Sequence, residues 1–263
     1  MATLRFFGLL AALLIAPSAG GAAALEPHVA AYRLSLAGQP EMANPFVEVR
    51  GGLVIEWRRA CDGWLSRQRL AFIGTLQEGG DLGHDVRFSS WEALDGSRMR
   101  YSYRSYDEQQ LQEEFRGEAR IEAPDRGVAS FTEPSLRQVE LPADTIFPTL
   151  HMQQVLNSAL AGVQFVSHQV FDGAGFDSLT QITSVIGQPR MIELLAEQQD
   201  ERGRAWPVSM AYYDLHTPSD TPKFEAEFLL SEDGVIRDVV LDYGEFRLDA
   251  ALEKLELIEL PDC

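Results

Sequence analysis

Along most of the chain, apolar and polar positions alternate with period two, the pattern of half-buried β-strands. In "GSRMRYSYRSY", Met99, Tyr101 and Tyr103 fall on one face and Arg98, Arg100, Ser102 and Arg104 on the other. "LVIEW" aligns Leu53, Ile55 and Trp57 in the same way. "KFEAEFLL" sets Phe224, Ala226, Phe228 and Leu230 against Glu225 and Glu227. Asp62-Gly63, Asp95-Gly96 and Asp233-Gly234 punctuate these runs. Asp-Gly tolerates the positive φ angles of tight hairpin turns, so the three pairs predict antiparallel neighbours.

One segment follows a different period. "LPADTIFPTLHMQQVLNSALAG" spaces Met152, Val155, Leu156 and Ala159 at i, i+3, i+4, i+7. That spacing predicts an amphipathic helix of about three or four turns, packed on the sheet by this face. Asp144 or Thr145 is expected to cap its start, Pro148 suits the first turn, and Gly162 is placed to end it. Near the C-terminus, "FRLDAALEKLELIEL" alternates through Phe246, Leu248, Ala250 and Leu252, then shifts phase to Leu255 and Leu257. A long strand with a bulge or a short helix fits that shift, and the preceding "VVLDYGEF" favours the strand. "LLAEQQDERGRAWP" reads as an exposed polar hairpin connection. With no Pro/Ser linker, internal repeat or low-complexity run, the expectation is an all-β fold: one domain over residues 25–263, antiparallel, with one helix.

The first residues are of another kind. "MATLR", "FFGLLAALLIA" and "PSAGGAAA" supply the basic, apolar and small-residue regions of a secretory signal peptide, expected over residues 1–24 with a cut after Ala24. The apolar run is well short of the roughly 20 residues that span a bilayer. No Cys follows it to carry a lipid, and no transmembrane segment is expected in the mature chain. Twenty-two Lys and Arg against 40 Asp and Glu give a formal net charge of −18. Such a balance argues against nucleic acid and against docking on anionic lipid, and it keeps a secreted protein soluble. A basic partner, a divalent ion or a neutral ligand remains compatible with it.

Export changes what the two cysteines mean. Cys61 and Cys263 are the only pair. In an oxidising compartment, an even count without CxxC spacing fits one structural bridge better than a redox motif or a zinc site. The alternative is a C-terminal thiol that pairs with another molecule. A bridge would pin the last strand to an early hairpin and destabilise the unfolded chain by about 5 kcal/mol through loop entropy.

Catalytic signatures are missing: there is no G-x-S-x-G, H-E-x-x-H, Walker or S-x-x-K motif. His28, His84, His151, His168 and His216 show no metal-ligand spacing. No catalytic, cofactor-binding or metal-ligating residue is therefore assigned, and no cofactor is expected. A triad gathered from distant strands is defined in space and stays open. "DGAGFDSLT" (residues 172–180) approximates one copy of a calcium-binding nonapeptide. Those sites need stacked copies to complete the oxygen shell, so a Gly-rich turn between strands is the plainer account.

Taken in order, "LEPHVAAYRLSLA", "ACDGWLSRQRL", "FPTLHMQQVLNSALAG", "VFDGAG", "WPVSMAYY" and "DGVIRDVVLDYGEFRLDAALEKLE", with a terminal Cys, form a series. Together they resemble the EipB family of cell-envelope integrity proteins across residues 25–263. The resemblance implies a periplasmic protein of Gram-negative bacteria. Its sheet would be long, strongly twisted and wound on itself, a β-spiral or open barrel-like shape with few helices. It also implies a disulfide between Cys61 and Cys263, and it brings no catalytic or ligand residues. The resulting expectation is a non-enzymatic periplasmic protein that supports envelope integrity. It would bind a periplasmic protein partner or an apolar, lipid-like ligand in the concave sheet. Tyr101, Tyr103 and Phe228 would line that concavity or complete an ordinary core. The alternative is an envelope-modifying hydrolase with a dispersed active site.

Overall fold

The computed structural model describes residues 25–38, 44–122, 126–193, 202–215 and 219–263. The expected signal peptide and His216 lie outside them, as do residues 194–201 of the polar connection.

Strands β1 (His28–Leu36), β2 (Phe46–Arg59), β3 (Gly63–Leu76), β4 (Asp81–Ala93), β5 (Arg98–Asp107), β6 (Gln110–Glu122), β7 (Arg126–Glu133) and β8 (Arg137–Leu141) pair each with the next. Helix α1 (Pro148–Leu160) follows. The chain continues through β9 (Phe165–Phe171), β10 (Leu179–Ile186), β11 (Arg190–Glu193), β12 (Arg202–Asp214), β13 (Phe224–Ser231), β14 (Ile236–Asp242) and β15 (Arg247–Leu257). The last strand returns to the first. β15 pairs with β1, which joins both halves into one antiparallel sheet with β8 at one edge and β9 at the other. β11 pairs with β12 off this path, with Glu193 opposite Arg202 across the polar connection.

The period-two faces pack as their spacing requires. Met99 and Tyr101 are buried while Arg98 and Arg100 are exposed. Leu53, Ile55 and Trp57 point inward, as do Ala226, Phe228 and Leu230, and Phe224 is half-buried. β15 is a strand with a bulge. Ala31 faces Lys254 and Tyr32 faces Leu252, so Glu253 is the extra residue that shifts the apolar phase. Gly96 and Gly234 take φ of +69° and +83°, as tight Asp-Gly turns demand. Gly63 does not: its turn closes when Ala60 N donates to Gly63 O, and the glycine opens β3. There a side chain is excluded by space, because a Cβ would stand 2.6 Å from the indole nitrogen of Trp91.

The sheet does not close into a barrel. Its two ends pass one over the other and are joined by side chains and by a short backbone bridge. In that bridge Ile146 N donates to Gln169 O at 2.9 Å and Phe171 N donates to Ile146 O at 3.1 Å. Tyr101 on β5 meets Phe171 on β9 edge-on at 5.6 Å, and Phe131 on β7 meets Phe176 at 4.9 Å. Gly173 lies flat against the Tyr101 ring; a Cβ there would come within 2.4 Å of it. Met99, Ala119, Ala129, Leu141 and Phe147 complete this overlap core, separate from the larger core inside the winding. The right-handed twist summed over so many strands carries the ends around.

Helix α1 buries Val155, Leu156 and Ala159 on its apolar face, with Met152 half-buried. Its capping corrects the expectation from sequence. Phe147 is the N-cap and supplies no side-chain bond, so neither Asp144 nor Thr145 caps the helix. Glu92 of β4 does so from across the fold. Its carboxylate accepts from Thr149 N at 2.9 Å and from Thr149 Oγ1 at 2.8 Å. The chain enters the helix fully extended at Phe147 (φ −101°, ψ 161°), which carries residues 144 and 145 out of reach. Gly162, at φ +74°, follows the C-cap Ala161. Cys61, in the β2–β3 turn, is bonded to Cys263, with Cα atoms 5.6 Å apart.

Candidate functional site

The inward faces that meet across the winding do not fill it. They enclose a cavity of about 810 Å³, walled by β2–β5, β9, β10, β12–β14 and α1. Leu53, Ile55, Leu70, Val86, Phe228 and Val239 make much of the wall apolar.

One end of the cavity carries an aromatic belt. Phe72 meets Phe46 at 5.9 Å, Phe46 meets Phe246 at 5.1 Å, and Phe246 stacks on Tyr243 at 4.9 Å. The series continues to Phe224 at 5.0 Å and Tyr212 at 5.1 Å. Register explains the gathering. These residues stand at the start of β2, late in β3 and β12, at the start of β13 and in the β14–β15 turn, which antiparallel pairing brings to one end. Tyr243 is 38 % exposed and marks the mouth. Cys61 lies at the opposite end of β2, so the bridge and the mouth are at opposite poles.

Besides Ser66, Gln68 and Thr180, carboxyl and imidazole groups enter this apolar space at three places. At the rim, His84 Nδ1 and Asp107 Oδ1 are 2.6 Å apart, and both side chains are partly exposed. Asp172, just past β9, opens to the cavity. Its Oδ1 accepts from Ala174 N at 2.9 Å, and burial raises its carboxyl above the ordinary aspartate range. Burial, reinforced by the Asp172 charge, pushes the Tyr212 hydroxyl up to about 12. On the α1 wall, His151 Nδ1 lies 3.0 Å from His168 Nδ1. His151 is only 3 % exposed, and its Nε2 has no hydrogen-bond partner. Burial, helped by the His168 charge, lowers His151 to about 3, so the imidazole is neutral.

Sequence and structure comparison place this architecture among known proteins. The family model described as EipB-like matches residues 19–259. The chain belongs to the EipB-like family. It is 28% identical over 250 residues to the cell envelope integrity protein EipB of Brucella abortus (strain 2308), covering 93% of this chain and 88% of that one. It also superposes on the crystal structure of a β-barrel-like protein of the domain DUF1849 from Brucella abortus with a TM-score of 0.81. That likeness has 27% identity and covers 89% of this chain and 99% of the other.

The EipB-like winding sorts the aromatics singled out in the sequence into two environments. Tyr103 and Phe228 line the cavity. Tyr101, two residues from Tyr103 and on the same face, lies instead in the overlap core between Phe131 and Phe171. Of residues 172–180, the first seven form the turn between β9 and β10 and the last two open β10; Asp172 holds the turn through Ala174 N, and Gly173 N donates to Ser178 Oγ. Among the described residues, no three His, Cys, Asp or Glu side chains lie close enough to hold a metal ion, and no helix is long and apolar enough to cross a membrane. The His151–His168 pair and the Glu92 cap escaped the sequence, since each joins residues with no shared local pattern.

Proposed function

We propose that this protein is an exported, non-enzymatic periplasmic factor that supports cell-envelope integrity by binding an apolar envelope molecule inside the winding. The observation that carries this is the cavity: about 810 Å³ of space walled by aliphatic and aromatic side chains, with an aromatic belt at its mouth. Apolar side chains that stand apart lose contacts they would gain by packing, and a ligand restores them. Kinship with a relative named for cell-envelope integrity supplies the setting. The cavity lies within the sheet, which favours a small ligand over a protein partner.

The His84–Asp107 pair has the form of a base with its orienting carboxylate, the specific observation that favours a hydrolase. A nucleophile is needed to complete it. Among the described residues, no hydroxyl or thiol is hydrogen-bonded to His84, so the binding reading is preferred.

Native mass spectrometry of protein released from the periplasm without detergent tests the proposal. A bound apolar molecule is expected, and extraction should free it. Leu70→Trp, which pushes an indole into the cavity, should weaken rebinding about tenfold or more while the fold persists. Repeated preparations that carry no ligand and take up no lipid would remove the proposal.

A further inference from the structure

Charge divides the candidate ligands. Two carboxylates, Asp107 and Asp172, line the cavity, and no Lys or Arg does. Lys223, the cation whose charge acts on Asp172, is exposed and outside the lining. An anionic head group brought into this space would lose its hydration, meet no Lys or Arg and face carboxyl groups, one of them already paired with His84, which is costly in a low-dielectric interior. A cationic head group would meet the reverse: two carboxylates together with the faces and hydroxyls of Tyr103, Tyr212, Phe224, Tyr243 and Phe246.

From this arrangement we infer that the cavity selects amphiphiles by the charge of their heads, taking an ammonium or quaternary ammonium and excluding carboxylate and phosphate heads. The inference rests on the cavity being a ligand site, as proposed above. Aromatic faces attract a desolvated cation through the ring quadrupole, and Phe224, Tyr243 and Phe246 form a continuous group with centroids 4.9 to 5.0 Å apart. Asp172 adds a carboxyl beside them; burial alone disfavours its charged form, and a cation brought alongside would favour it.

Dodecyltrimethylammonium, dodecanol and dodecanoate share one tail and differ in head charge, so titration calorimetry below micelle-forming concentrations tests the inference directly. The ammonium is expected to bind about tenfold more tightly than the alcohol, with dodecanoate weakest. Asp172→Asn should narrow the preference for the ammonium over the alcohol, read as the ratio of the two affinities in the same variant. Asp172 also holds its turn through Ala174 N. For that reason Phe224→Leu, which removes a ring face and no charge, is the companion variant and should reduce the same preference. Equal binding of all three probes, or a preference for dodecanoate, would overturn charge selection while leaving the cavity as an apolar site. Failure of every probe to bind would overturn both.

Discussion

Glu92 shows how one side chain ties the sheet to the helix. Burial pushes its carboxyl up to about 7, against the bonds from Thr149 that favour the charged form. The folded state thus holds a proton that the unfolded chain releases near 4.5. Below pH 4.5 both states are protonated and the stability from this group is complete. Between pH 4.5 and about 7 it is lost, by about 3 kcal/mol in total. His151 works in the opposite sense: held down to about 3, it contributes fully above pH 6.5 and loses that contribution on acidification. The two slopes oppose one another between pH 4.5 and 6.5, so a variant is needed to separate them. Glu92→Gln keeps an acceptor for Thr149 N but cannot ionise. In urea unfolding, the stability difference between this variant and its parent should move in favour of E92Q as pH rises from 4.5 to about 7. A difference independent of pH would remove the titration from Glu92.

At the scale of elements, β15 and its covalent tie decide how the chain end is held. The bulge at Glu253 lets Leu255 pack half-buried against the core after the shift from Leu252, while Leu257 stays exposed. The bridge then closes a sequence separation of 202 residues. Loop entropy makes that constraint worth about 5 kcal/mol, comparable to the net stability of many domains. Cys263→Ser should therefore lower the unfolding midpoint sharply. Reductant should lower the parent to the same level and leave the variant where it is; a parent indifferent to reductant would refute the role. The neighbouring ladder carries an electrostatic conflict of its own. Arg69, Arg87 and Arg104 stand directly opposite one another on β3, β4 and β5. Asp85 lies 2.9 Å from Arg69 and 2.7 Å from Arg87, and Glu114 lies 2.8 Å from Arg104. These carboxylates offset the repulsion that like charges in register would create.

The molecule as a whole is shaped by its overlap. Because the ends of the sheet slide past each other, aromatic packing, with the short Ile146 bridge to β9, does the work that a full ladder of hydrogen bonds does in a closed barrel. Gly173 sits at the tightest point, with φ of +77° and the Tyr101 ring where a Cβ would be. Gly173→Ala should destabilise by about 2 kcal/mol or more, because backbone strain and the clash add. Thermal melts check the loss. Tyr101→Leu in the same chain should recover part of it by freeing space. Independent, additive losses from the two changes would show that the contact does not govern the overlap.

How far the sequence could be followed is visible residue by residue. The alternation told which side chains of β2, β5 and β13 point inward, and the shift from Leu252 to Leu255 located a bulge. Both follow from repulsion of apolar groups from water along a strand of fixed period, a property of a few consecutive residues. The same pattern is blind to what lies opposite. Tyr101 and Tyr103 share a face and a chemistry, yet one is clamped between phenylalanines and the other borders a cavity. Whether two inward faces touch or stand apart depends on twist accumulated strand by strand, which no window of the chain records. The same holds for Glu92, which reaches a helix 57 residues further on, and for the two imidazoles that meet from α1 and β9. Local periodicity set the strands and the helix face, and composition set the acidic charge. Only the winding decided where the space was left, which rings surround it, and that no Lys or Arg stands beside its carboxyl groups in the lining.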